Sequence, residues 1–136
     1  MINGLSQATF RRFCKSRRIL FAALFGSMAS GRATAHSDVD VAFWVEGDPS
    51  ESRALKLTND LMRVFHWNHV DVTILNHANP LLQWQVASTG RPLFEGTAGA
   101  FRHFQLRAFK RHGDAGRIYR WTRTYLRRVL SPAVYA

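Results

Sequence analysis

The sequence predicts an α/β (α+β) domain, a small β-sheet with helices packed on it, followed by a basic helical arm. Three observations carry that reading. Short apolar or alternating segments of strand length (Ile19–Phe25, Asp38–Glu46, His69–Leu75) recur along the first half. Amphipathic segments with helix-capping residues separate them. The positive charge gathers at the C-terminal end. Strand and helix signals in alternation are the mark of a layered α/β arrangement.

Taken in order, "SQATFRRFCKSRR" (6–18) opens with Ser and Gln and places Phe10 and Phe13 three apart, a short amphipathic helix. "ILFAALF" (19–25) is apolar throughout and ends at Gly26, as expected of a strand covered on both faces. "GSMASGRATAHS" is small and polar and reads as a loop, with room for one helical turn. "DVDVAFWVE" (38–46) alternates before turning hydrophobic and closes at Gly47-Asp48-Pro49, a strand and turn. "SESRALKLTNDLMRVFH" offers Ser50 as cap, with Leu57, Leu61, Val64 and Phe65 forming one helical stripe. "HVDVTIL" (69–75) is a second alternating strand. "NPLLQWQVASTG" starts with proline at a helix entry and stops at Gly90. "RPLFEG" suits a short edge strand. Helical signals resume in "AFRHFQLRAFKRH", break near Gly113 and Gly116, and return in "RIYRWTRTYLRRVL". The expected division is a core over residues 1–96 and a basic aromatic helical arm over 97–136, within one compact unit.

The 136 residues carry a net charge of +10, which favours an anionic partner. From Phe101 to Leu130 there are nine Lys or Arg against one acid, Asp114, so the excess belongs mostly to that segment. Cys14 is the single cysteine, which excludes an internal disulfide framework and points to a reducing, cytoplasmic setting. No apolar run approaches the roughly 18–20 residues that span a bilayer, so no membrane partner is expected. "RRILFAALFGSMASG" has the basic flank and short apolar stretch of an export signal. Cleavage near Ser30 would separate Gly26-Ser27 from the aspartates, and the segment is read as an internal strand.

Side chains two apart on a strand point the same way, so Asp38 and Asp40 share a side, while Val39, Val41, Phe43 and Val45 face a core. Asp71 lies in the next alternating strand with Val70 and Val72 turned away from it. If these strands are neighbours, three carboxylates meet on one patch, where they repel unless cations hold them. Hard divalent ions, Mg²⁺ above all, suit such a set. Two Mg²⁺ ions roughly 3.5–4 Å apart stabilise the entering and leaving oxygens of a phosphoryl displacement. Gly26-Ser27, just past a strand, supplies backbone amides and a hydroxyl for phosphates. Taken alone, a D-x-D at a strand start more often marks a solvated face. The combination with Gly26-Ser27 ten residues earlier and an aspartate in a following strand points to nucleotidyl transfer from a nucleoside triphosphate.

Gly26-Ser27, a ten-residue spacer, Asp38-x-Asp40 and the distal Asp71 resemble the signature of the DNA polymerase beta-like nucleotidyltransferase superfamily. The small size and the Phe/Arg-rich end look like its minimal nucleotidyltransferase branch, the antitoxins paired with HEPN-domain toxins. That resemblance implies a polymerase beta-like fold with a small mixed sheet. It further implies metal ligation by Asp38, Asp40 and Asp71, with Asp71 helping to deprotonate the acceptor. Ser27 and the Gly26 backbone would hold ATP, with Arg32 as a further nucleotide-binding residue. The family's arginines after G-S are replaced here by Met28 and Ser30, and Arg32 is read either as their substitute or, the commoner case, as a plain surface arginine. The implied activity is transfer of AMP from ATP to a tyrosine of a HEPN ribonuclease toxin. The alternative is an antitoxin that neutralises by binding alone; transfer to a small molecule or to nucleic acid ranks lower.

Elsewhere, "HWNHVD" offers His66 and His69 near Asp71, but without cysteines it reads as a turn with exposed histidines rather than a zinc site. Trp44 shares the aspartates' parity yet sits about 13 Å further along the strand, a core-edge position. Trp67 and Trp84 read as helix-packing residues. In the tail, Ile118, Trp121, Tyr125 and Val129 follow helical spacing among basic residues. A docking arm for a protein partner is the first reading and single-stranded nucleic acid the second.

Overall fold

A computed structural model describes residues 6–26, 38–115 and 127. Within them the order is α1 (Gln7–Ser16), β1 (Ile19–Phe25), β2 (Val39–Val45), α2 (Glu51–Phe65), β3 (Val70–Ile74), α3 (Pro80–Thr89), β4 (Arg91–Glu95) and α4 (Ala100–Ala115). Ser27 and Arg32, the intervening loop, and the tail positions Ile118, Trp121, Tyr125 and Val129 lie outside the described residues. Among the described residues, no helix is long and apolar enough to cross a membrane.

Local chemistry accounts for the helix ends. Ser6 caps α1 by accepting from the Thr9 amide at 3.3 Å, and Ser50 accepts from the Arg53 amide at the head of α2. Asn79 accepts from the Leu82 amide at 2.8 Å, with Pro80 in the first helical turn of α3. The alternation from α2 to β3 is closed by His66, which takes a left-handed conformation (φ 56°, ψ 35°) as the C-cap.

The four strands form one sheet in the order β3-β2-β1-β4. β1 pairs antiparallel with both β2 and β4, whereas β2 and β3 run parallel. A parallel pair needs a crossover, and α2 supplies it. The central place of β1 explains its composition: six of its seven residues are buried or half-buried, and Leu20 is the exception.

Helices cover both faces. On one, Phe10, Phe13 and Cys14 of α1 and Leu57 and Leu61 of α2 pack on Ala22, Val41, Phe43 and Val45, with Val70, Val72 and Ile74 against them. This is the face predicted for the valines. On the other, Val86 and Ala87 of α3 and Phe101, Phe104 and Ala108 of α4 pack on Phe21, Ala23 and Ala42. Val64 departs from its expected place: it is exposed, because the i, i+4 row Leu57–Leu61–Phe65 alone meets the sheet. Of the break expected near Gly113 and Gly116, the first part is absent, since α4 runs through Gly113 to Ala115; Gly116 lies outside the described residues. One glycine in a helix costs about 1 kcal/mol, which does not end a helix anchored by three core residues upstream.

Candidate functional site

The aspartates meet where β2 and β3 begin. Asp40 and Asp71 are register partners in the parallel ladder, so their side chains leave the same face of adjacent strands. Val39 and Val70, one residue before them, turn to the opposite face and pack in the core. Asp38 stands one step outside β2, exposed. The amide of Val39 donates to the His69 carbonyl at 2.7 Å, which ties the entry of β2 to that of β3 beside the carboxylates.

The electrostatics show how close these charges are. Asp40 is held above the ordinary carboxylate range, first by burial, then by the negative charge of Asp71, then by that of Asp38. Asp40 and Asp71 form the register pair, with Asp38 exposed one step outside it. Among the described residues, no three His, Cys, Asp or Glu side chains stand together closely enough to hold an ion. The donors are nevertheless oxygen-only, anionic and partly open to solvent, the chemistry that fits Mg²⁺ rather than a softer metal. His66 and His69 sit nearby in sequence but are both exposed on the α2–β3 turn.

Gly26 completes the described part of the site. β1 carries it to the carboxylate pair, because Phe25 is the register partner of Asp40. Its φ of +72° belongs to the left-handed region that favours glycine. A Cβ there would collide with Oδ2 of Asp40. Glycine is therefore required twice, for the turn and for the close approach of backbone to carboxylate. The strand-end Gly-Ser was visible in the sequence; its contact with Asp40 was not, because it depends on β1 lying beside β2.

The same sheet face divides into two halves. Trp44, two residues beyond Ala42, stacks near Phe21 and Phe104, with the Arg107 guanidinium 4.7 Å from its ring centroid. It covers the core edge, as its distance along β2 suggested. Trp67 packs on Phe65, and Trp84 stacks on His112, joining α3 to α4. Asn76, not singled out from the sequence, clasps Val45 by accepting from its amide and donating to its carbonyl. Buried Gln83 donates to the Leu75 carbonyl and accepts from Arg111, both at 2.7 Å. These contacts pin the far ends of β2 and β3 and so hold the register that pairs Asp40 with Asp71.

Comparison with known proteins agrees with this geometry. Residues 9–97 match the family model described as polymerase beta, nucleotidyltransferase. The protein adenylyltransferase MntA of Aphanizomenon flos-aquae (strain 2012/KM1/D3) is 27% identical over 128 residues, covering 86% of this chain and 84% of that protein. A crystal structure of a toxin–antitoxin with AMP-PNP contains a chain that superposes with TM-score 0.68 at 20% identity, covering 97% of this chain and 100% of that one. A chain from a complex of tri-AMPylated Shewanella oneidensis HEPN toxin with MNT antitoxin superposes with TM-score 0.60 at 18% identity, covering 96% of each. The four-stranded sheet, the paired aspartates and the glycine turn thus stand inside a matched region of 89 residues, and the chain belongs to the polymerase beta nucleotidyltransferase family.

Proposed function

We propose that this protein is an antitoxin that transfers AMP from ATP, in a Mg²⁺-dependent reaction, to a tyrosine hydroxyl of a HEPN toxin. The observation that carries the reading is the register pairing of Asp40 with Asp71 beneath the Gly26 turn. The similarity to MntA and to MNT chains of toxin complexes supports the choice of acceptor. Asp38, Asp40 and Asp71 would hold Mg²⁺, whose positive charge would offset the negative charge developing on the phosphates. Gly26 leaves room for Asp40 and presents backbone toward the triphosphate, with Ser27 and Arg32 as its further holders. The acceptor oxygen attacks the α-phosphorus in line; the bond to the bridging oxygen breaks and pyrophosphate leaves. Asp71 helps take the hydroxyl proton. Position and fixed charge supply most of the acceleration.

The test is incubation with a HEPN partner, ATP and Mg²⁺, read by intact mass. A +AMP shift that disappears in Asp38→Ala/Asp40→Ala is the expected result. No shift, or one that survives the double substitution, refutes the reading. Toxin neutralisation that persists in cells with the double variant would instead identify an antitoxin acting by binding alone, the reading that Met28 and Ser30 favour.

A further inference from the structure

A second cationic site lies away from the aspartates. The turn between α1 and β1 and the outer side of α2 enclose a cavity of about 240 Å³. Arg17, Arg18, Arg53 and Lys56 line it, against one acid, Asp60, over a floor that includes Leu57. Asp60 is already engaged by Arg17 Nε and Arg63 Nη2, each at 3.0 Å. Arg53 directs its Nη atoms at the backbone carbonyls of Arg17, Glu46 and Asp48 rather than at a carboxylate, although its charge also acts on Glu46. Arg17 uses Nε on Asp60 and Nη1 on the Ser16 hydroxyl and the Phe13 carbonyl. Its Nη2 makes no hydrogen bond among the described residues.

The turn is built at a conformational cost. Arg18 has a φ of +57°, unusual for a residue with a side chain. That conformation lets the Arg17 carbonyl accept from Arg53 at 2.7 Å while Arg18 reaches out to Glu46. Arg53 therefore fixes the geometry and Arg17 is held against Phe13, its guanidinium 3.8 Å from the ring centroid. A donor fork held in place loses little freedom when an anion arrives.

The location separates this cavity from the catalytic site. Ile19, the residue after Arg18, and Phe25, the register partner of Asp40, are at opposite ends of β1, about 20 Å apart by strand rise. α1 and α2 also cover the sheet face opposite the aspartates. A triphosphate aligned on Asp40 and Asp71 does not reach it.

We infer that the Arg17–Arg53–Lys56 cavity binds a compact phosphate dianion or polyanion, such as pyrophosphate or a phosphomonoester, at a site distinct from the aspartates. The lining carries four cations against one acid, and Glu46 outside it pairs with Arg18, so the remaining excess of two matches a phosphate dianion better than a single carboxylate. The inference does not depend on the proposed transfer reaction.

The experiment uses the full ¹⁵N-labelled chain carrying Asp40→Asn and Asp71→Asn in the presence of EDTA, so that metal-bridged phosphate binding at the aspartates is removed. Sodium pyrophosphate, AMP, and a dinucleotide with and without a 5′-phosphate are titrated separately. Saturable amide shifts at Ser16–Ile19 and Arg53–Leu57 are expected with pyrophosphate. Lys56→Glu, an exposed position, should melt as the parent does and weaken binding on the order of tenfold; Lys56→Gln should fall between. Tighter binding of AMP or of the phosphorylated dinucleotide than of pyrophosphate would support the site and assign its phosphate to a nucleotide source. Equal binding of the two dinucleotides, absence of saturable shifts, or affinity indifferent to Lys56→Glu would overturn it. Because no transfer is measured, failure here leaves the adenylyltransferase test untouched.

Discussion

Replacing Gly26 by alanine should cost stability and activity for two separable reasons. Moving a residue with a side chain to φ +72° costs about 1–2 kcal/mol. The new Cβ also meets Oδ2 of Asp40, with Cγ at 3.2 Å and Cβ at 3.4 Å behind it, so the carboxylate must rotate. A side chain driven about 30° from its rotamer adds about 0.5–1.5 kcal/mol. The total, about 1.5–3.5 kcal/mol, lowers Tm by roughly 5–12 °C, given an unfolding entropy of about 2.1 cal/mol/K per residue. Displacing by about 1 Å the carboxylate proposed to hold metal should reduce AMP transfer on the order of 100-fold. Gly26→Asn separates the effects, because asparagine tolerates the left-handed region. It should recover part of the melting temperature and none of the activity. Thermal melts and an intact-mass time course on the three proteins measure both. Unchanged transfer by Gly26→Ala, or transfer restored by Gly26→Asn, would refute the role assigned to the close approach.

Other expectations follow from the same geometry. Asp40 has a raised folded pKa, so its contribution to stability is greatest below the ordinary carboxylate value and is lost as pH rises through the folded one. Asp40→Asn should therefore melt higher than the parent at neutral pH and lose that advantage at acid pH, while transfer is abolished. Mg²⁺ should raise the melting temperature of the parent and much less that of Asp40→Asn, as differential scanning fluorimetry would report. Gln83→Leu removes two hydrogen bonds and strips the Leu75 carbonyl of a donor, for a loss of about 1–3 kcal/mol in denaturant melts. Phe104→Ala opens a cavity between α4 and the sheet and should cost about 3–5 kcal/mol by the same measurement.

Much of the fold was readable because its local rules act over a few residues. The period-two alternation in "DVDVAFWV" and "HVDVTI" assigned each valine to the core and each aspartate away from it, and the structure agrees residue by residue. Ser50 and Asn79-Pro80 announced helix starts for the same reason, since a cap satisfies amides only three positions on. Val64 was misplaced because helical spacing defines a broad stripe, and only the partner surface decides which row is covered. Gly113 was overread as a stop because its intrinsic cost is small beside the packing of Phe101, Phe104 and Ala108.

Sequence by itself determined the chemistry available here: three aspartates with alternating parity, a Gly-Ser pair at a strand end, and the spacing between them. It could not determine the strand order, because parity says which way a side chain points and nothing about which strand lies beside it. The parallel β2–β3 pairing, made through α2, brought Asp71 level with Asp40. The antiparallel β1–β2 pairing brought Gly26 onto the Asp40 carboxylate. The cationic cavity has the same origin, since Arg17 and Arg53 are 36 positions apart and meet only when α1 and α2 dock on one face. Each of these contacts joins distant residues, and long-range pairing is settled by the burial of whole faces rather than by any local preference.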